Sequence, residues 1–225
     1  MREAGVIHDI HQYSFYNTRL KELHVASKPN ARISTNRTHF DIFLLREALK
    51  SPLLTYIDNT FVQSIEVRAD NVLIKNRAGN VNIEAKMVVI ATGNNSTLPK
   101  EIVPANSSMG HFMLAARGYY KNLNVEPGKH STRNYIIQKP VRCYIFIAEL
   151  PGNLATVELF VLKDIAVKHH VSPKTLLLNL IKEHPALQGL FANAKLEGKI
   201  MGISVPYTSS KQSISSNRVL LTGVN

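Results

Sequence analysis

The segment Lys86-Met87-Val88-Val89-Ile90-Ala91-Thr92-Gly93 constrains this chain more than any other. Met87 to Ala91 is apolar without alternation, the pattern of a strand covered on both faces of a parallel sheet. A small residue and a glycine follow where that strand leaves the sheet. Ligands of open α/β sheets bind outside the carboxyl ends of the strands, which makes Thr92 and Gly93 a candidate ligand edge. Glycine there lets backbone approach a bulky group.

The residues upstream predict a β-meander. Phe61–Val67, Val72–Lys75 and Val81–Glu84 read as strands, separated by turns at Ala69-Asp70-Asn71 and Arg77-Ala78-Gly79-Asn80. A helix is expected before the meander. Thr38 and Asp41 supply a start signal, Phe40, Phe43, Leu44, Leu45, Ala48 and Leu49 an apolar face, and Ser51-Pro52 a stop.

In the second half, His111–Tyr120, Tyr135–Gln138, Cys143–Leu150 and Leu154–Leu162 read as strands, with a hairpin turn at Pro151-Gly152-Asn153. Ser172-Pro173 starts a helix with Leu176, Leu177, Leu180 and Ile181 facing inward, and His184-Pro185 ends it. A short helix over 186–194 and a returning strand over 199–206 follow. A polar, serine-rich linker, 208–217, leads to a strand at 218–223.

Helix, meander and a buried strand ending in Ala91-Thr92-Gly93 resemble the FAD-binding domain of flavoprotein oxidoreductases. Within them, the chain resembles the geranylgeranyl reductase-like branch of the aromatic-hydroxylase group. Arg37-Thr38-His39-Phe40-Asp41 through Ala48 is similar to that family's R-x-x-F-D-x-x-L-x-x-x-A helix start. Ala116–Leu123 is similar to the strand opening its substrate domain, and Asn217–Gly223 to the strand entering its Gly-Asp flavin motif.

The resemblance implies an α/β fold in two lobes. One is an incomplete Rossmann-like FAD/NAD(P)-binding lobe with the meander, formed by 1–99 and 214–225. The other is a mixed-sheet α+β substrate lobe, 100–213. Strand 87–91 should lie beside strand 218–223 in one sheet. The resemblance places Arg37 near the flavin cofactor and Val62 where backbone groups hold adenine. It sets Thr92, Gly93 and Gly223 on the cofactor edge, and Tyr144 and Phe146 at the substrate.

The departures from the family are specific. No G-x-G-x-x-G turn, the usual cradle of the FAD pyrophosphate, occurs in the sequence. Val224 stands where the family has an aspartate beside the ribityl and phosphate groups. Residues 1–20 align after the family's second strand, so an internal stretch of a longer flavoenzyme is expected, one that binds FAD weakly or not at all by itself. The pattern P-x-x-Y-x-W-x-F-P falls near Val141–Glu149, where only Tyr144 matches and Phe146 replaces the tryptophan.

The implied activity is FAD-dependent oxidoreduction of an apolar, isoprenoid-like or lipid substrate, with NAD(P)H as reductant. The alternatives are a non-catalytic apolar-ligand-binding module and a flavin-dependent monooxygenase or halogenase. A sheet lacking the family's first strand would expose an edge, so self-association is expected.

Composition narrows the remaining classes. The 225 residues are 44% apolar, enough for a sizeable core. The single cysteine, Cys143, excludes an internal disulfide and reads as a buried, inert thiol in a reducing, cytoplasmic setting. No segment is apolar enough to span a bilayer and no cleavable signal is visible. Of the formal +11, residues 100–225 carry +8. That surplus suits a solvated basic surface or peripheral contact with an anionic membrane. No nucleic-acid motif accompanies it. His8 with His11, and His169 with His170, lack the further ligands that a metal site requires. The sequence offers no nucleophile elbow, and no catalytic acid or base is assigned.

Overall fold

A computed structural model describes residues 7–17, 19, 21–93, 96, 98, 102, 111–125, 131–207 and 213–223, without the side chains of 8, 24–32, 111, 206 and 207. The chain divides into two compact units. The first is Met1–Leu54 with Phe112–Val205, and the second is Thr55–His111 with Pro206–Asn225.

The first unit is built on strands β1 (Ile7–Tyr16), β2 (Glu22–Thr35), β7 (His111–Lys121), β8 (Ser131–Ile137), β9 (Cys143–Leu150), β10 (Leu154–Leu162) and β11 (Lys195–Tyr207). They form one seven-stranded sheet in the order β11-β7-β10-β9-β8-β1-β2. β1 runs parallel to β8, whereas the β1/β2, β8/β9, β9/β10 and β7/β10 pairs are antiparallel, so the sheet is mixed.

Successive side chains of a strand point to opposite faces, and the two faces here have different fates. Ile145, Ile147, Val157, Leu159 and Val161 are buried, and they pack against Leu176, Leu177, Leu180, Leu187 and Phe191. Those partners come from helices α3 (Pro173–Glu183) and α4 (Pro185–Phe191). A further short helix, α2 (Lys163–Lys168), follows β10 directly. Proline stands at the start of both α3 and α4, where its missing N–H costs nothing. Gly118 lets β7 and β11 pack closely. A Cβ there would meet the Tyr120 ring at 2.9 Å and Ile200 and Leu196 at 3.2 Å.

The strands and helices read from residues 111–207 are present, but β8 begins at Ser131 and not Tyr135, β11 begins at Lys195 and not Lys199, and α2 is not anticipated. The amino-terminal region differs more. The resemblance assigns residues 1–99 to the cofactor lobe, yet β1 and β2 extend the large sheet, with Gln12 opposite Ser131 and Tyr16 opposite Tyr135. The physical reason is pairing, because a polar-rich segment becomes a strand when a sheet edge satisfies its backbone. Its buried polar residues are accounted for. The Ser34 hydroxyl donates to the Glu149 carbonyl at 2.5 Å, and Asn134 Nδ2 donates to the Ser14 carbonyl at 3.0 Å. His8 and His11 therefore lie on a strand and not on a helical turn. No cluster of metal-ligating residues occurs among the described residues.

Helix α1 (Arg37–Ala48) follows β2. Its cap is Asn36, whose side chain accepts from the Thr38 and His39 amides, and not Thr38 as the start signal suggests. Its expected apolar face is only partly covered, since no residue of α1 is buried, Phe40, Phe43 and Leu45 are half-buried, and Leu44 and Leu49 are 44% and 47% exposed. Ile42, together with the six apolar residues of the expected face, spreads apolar surface around the helix, so no single stripe forms.

The second unit contains the meander, as β3 (Val62–Val67), β4 (Val72–Asn76) and β5 (Asn82–Ala85), a three-stranded antiparallel sheet. A second small sheet has the order β12-β13-β6, from β6 (Val88–Ile90), β12 (Ser215–Ser216) and β13 (Val219–Leu221). β6 and β13 pair in parallel, Val219 opposite Val88 and Leu221 opposite Ile90, as the resemblance anticipates. Ile90 and Val219 are buried between them and pack against Ile65, Val88, Ile102 and Leu221. The Arg218 guanidinium ties the sheets together, donating to the Ala69 carbonyl at 2.8 and 3.0 Å and to the Lys86 carbonyl at 3.2 Å.

Candidate functional site

In the second unit, the parallel β6/β13 pair sets two turns side by side at the carboxyl ends of its strands. Gly93 (φ +74°) follows β6, and Gly223 (φ +80°) follows β13. Both are in the left-handed region that glycine enters without a Cβ penalty. The Thr222 amide donates to the Ile90 carbonyl at 3.0 Å, extending the pairing into the turn. Val62 and Thr92 line one cavity of about 400 Å³, whose walls include Ile65, Ile74, Val88 and Ile90. Four of the sequence-derived residues, Val62, Thr92, Gly93 and Gly223, thus gather at this strand-pair end. Arg37 belongs to the first unit. It opens α1, is exposed, and its Nε lies 3.0 Å from Asp41 Oδ1. Val224 lies outside the described residues.

The first unit presents the face of its sheet opposite α3 and α4. Tyr144 and Phe146 both project from it, two residues apart on β9. Tyr144 lines an apolar cavity of about 520 Å³ with Met113, Ile136, Phe160, Leu162 and Ile165. Phe146 lines a separate cavity of about 390 Å³. The Tyr144 hydroxyl donates to Asn134 Oδ1, and Asn134 is fully buried, which holds the phenol in place. The ring of Phe160 lies 6.1 Å from that of Tyr144. Cys143 also touches the larger cavity. Burial pushes its thiol up to about 12, so it is protonated and inert at neutral pH, in keeping with the sequence reading.

The sequence reading missed the polar residues of this face. Arg117 Nε lies 2.8 Å from Glu158 Oε1, an ion pair whose angle is not that of a linear hydrogen bond. Thr156 donates to the same Glu158 oxygen at 3.4 Å. Thr132 is buried, and its hydroxyl has no protein partner among the described residues. A usable signal was present in β9 and β10, where alternation assigns 144, 146, 148 and 156, 158, 160 to one face. Which polar residues of β7 and β8 join them depends on register.

Solved structures share this architecture. A geranylgeranyl bacteriochlorophyll reductase-like protein from Thermoplasma acidophilum matches 96% of the chain with a TM-score of 0.76 and 18% identity. The flavin-dependent brominase Bmp2 matches 98% with a TM-score of 0.75 and 16% identity. The halogenase PltM, in a complex with phloroglucinol and FAD, matches 96% with a TM-score of 0.72 and 15% identity. At such identities the likeness establishes the fold. The chain spans about half of these proteins, 54%, 56% and 47% of their respective lengths. No protein-family model and no curated protein matches the chain.

Proposed function

We propose that the protein is an FAD-dependent oxidoreductase acting on an apolar substrate, with cofactor contacts on the second unit and substrate contacts on the sheet face of the first unit opposite α3 and α4. The observation that carries this reading is the parallel β6/β13 pair, which sets two positive-φ glycine turns beside a cavity lined by Val62 and Thr92. Its apolar wall fits the flat adenine end of FAD. The pyrophosphate has no matching cradle, since the sequence contains no glycine-rich fingerprint. A bound flavin supplies the hydride chemistry, and the protein supplies binding, orientation and exclusion of water.

Val62, Thr92, Gly93 and Gly223 are the proposed cofactor contacts of the second unit, and Arg37 is proposed as a cofactor residue on the resemblance alone. Tyr144 and Phe146 are the proposed substrate contacts. Tyr144 is the better placed for an apolar substrate, because its ring forms a wall of the larger cavity and its hydroxyl is engaged by Asn134. The likeness to halogenases, together with Phe146 in place of the family's tryptophan, supports flavin-dependent halogenation or monooxygenation as the second reading. NAD(P)H is the proposed reductant. Self-association is proposed through β6, which forms one edge of its small sheet with Val89 57% exposed.

Equilibrium dialysis of FAD and of adenosine against the chain tests this reading. Adenosine should be retained weakly and lost on Val62→Arg, with FAD held no more tightly than adenosine. Tight stoichiometric FAD binding would require another account of the phosphates. No retention of either ligand at millimolar concentration would overturn the cofactor assignment.

A further inference from the structure

The register of the large sheet sets hydroxyl groups in a row across its face opposite α3 and α4. Tyr13 is opposite Thr132, Thr132 opposite Ala148, Ala148 opposite Thr156, and Thr156 opposite Tyr119. The small Ala148 at the centre leaves space between the two threonines. The next row is Phe15, Asn134, Phe146, Glu158 and Arg117, and the one after it contains Ile136, Tyr144 and Phe160. The first two rows thus carry the polar side chains, and the third, at the larger cavity, is apolar. Thr132, Ala148, Thr156 and Glu158 all line the smaller cavity of about 390 Å³.

Thr132 makes this row more than a polar patch. The residue is 5% exposed, it faces the cavity, and its hydroxyl has no protein partner among the described residues. A buried polar group without a partner costs about 1–3 kcal/mol, so a group retained in that state calls for an explanation. A ligand hydroxyl would satisfy it, because a hydroxyl donates and accepts, as does the threonine side chain.

We propose that Thr132, Thr156 and Glu158 form a hydroxyl-binding subsite for the polar end of a long aliphatic alcohol whose chain runs toward Tyr144 and Phe160. An anionic head is disfavoured, because Glu158 faces the cavity and the neighbouring Arg117 is already paired with it. An ammonium head is disfavoured because that same pairing offsets the carboxylate charge. The ligand is a chain and not a single ring. Ala148 and Tyr144 are four residue steps apart along β9, roughly 13 Å at about 3.3 Å per residue. This deepens the proposed function and rests on its placement of substrate on this face. The test needs no flavin, so its failure leaves the cofactor assignment standing.

The experiment is calorimetric titration of the full chain with 1-decanol and with decyl phosphate, in parallel with thermal unfolding. Decanol should bind at least about ten-fold more tightly than decyl phosphate. Thr132→Val should weaken decanol about five-fold, the worth of one net hydrogen bond. It should leave the Tm unchanged or raised, because it removes an unpartnered hydroxyl with little change of shape. Thr132→Ser should retain decanol binding. Equal or tighter binding of decyl phosphate would overturn the proposal. So would unchanged decanol affinity in Thr132→Val, or a clear fall in its Tm, which would show that the hydroxyl has a structural partner.

Discussion

The two units solve the same problem on different scales. The first buries one face of a seven-stranded sheet under α3 and α4, with fully buried aliphatic side chains contributed by both layers. The second has two three-stranded sheets, and its main cluster centres on Ile90 and Val219. Hydrophobic stabilisation scales with the apolar area removed from water, so the first unit should hold its structure by its own core. The second relies on polar ties such as the Arg218 clamp. The proposed cofactor edge sits on the less buried unit and the proposed substrate face on the more buried one. Elements that must admit a large ligand come from the less stable end of a protein.

The largest effect should come from a buried charge of the first unit. Glu149 accepts from the Ser131 hydroxyl at 2.8 Å and from Arg133 at 3.3 Å, with side-chain exposures of 12% for Glu149 and 17% for Arg133. Arg133→Met removes the guanidinium 3.3 Å from this buried carboxylate, and breaking a buried ion pair in this way should cost about 3–5 kcal/mol, read as a lower urea midpoint. Little loss would show that solvent reaches this corner and that the first unit is less tightly closed than its sheet suggests.

Paired core truncations test the contrast directly. Leu177→Ala should cost the first unit about 2–5 kcal/mol. Val219→Ala should cost less and should speed amide exchange in β6 and β13 while leaving β9 and β10 protected. Equal acceleration across both sets would mean that the units unfold as one.

Alkaline pH should act on the first unit alone. Burial raises Cys143 from its ordinary 9.0 to about 12 and Tyr135 from 10.0 to about 12. Both groups are neutral in the fold and ionise earlier in the unfolded chain. Their contribution is therefore complete below about pH 9 and is lost as the pH rises toward 12. Cys143→Ala should move the onset of sheet loss up toward about pH 10, where Tyr135 begins to count, as followed by circular dichroism. An onset unmoved by the substitution would sink the assignment to the thiol.

The smallest effect belongs to α1. Asn36→Ala removes the acceptor for the Thr38 and His39 amides and should cost about 1 kcal/mol. Thr38→Ala should cost less, since Thr38 is not the cap. The reverse order in thermal unfolding would restore the start signal read from the sequence.

Local pattern determined a large share of this molecule. Alternation in 143–162 specifies β9 and β10 and their buried face. Ser172-Pro173 and His184-Pro185 mark the bounds of α3 and the start of α4. Unbroken apolarity followed by Thr92-Gly93 marks the place of β6 and its turn, but not the cover on both faces that the pattern suggests, since Ile90 is buried while Val89 is 57% exposed. These features depend on residues a few positions apart, where propensity and periodicity act directly. The resemblance then brought Val62, Gly223, Tyr144 and Phe146 into consideration, positions that periodicity alone does not single out.

Tertiary structure decided the rest. β1 and β2 have no clean alternation, and they are strands because β8 offers Gln12–Tyr16 a parallel partner more than a hundred residues away. α1 has an apolar sequence but no buried residue, because burial depends on what a helix meets and not on its composition alone. The polar subsite is the strongest case. Tyr13, Thr132, Ala148 and Thr156 come from four strands, and one step of slippage in any pairing would send its side chain to the opposite face. Register is a property of paired strands, so the row exists only once the sheet has formed.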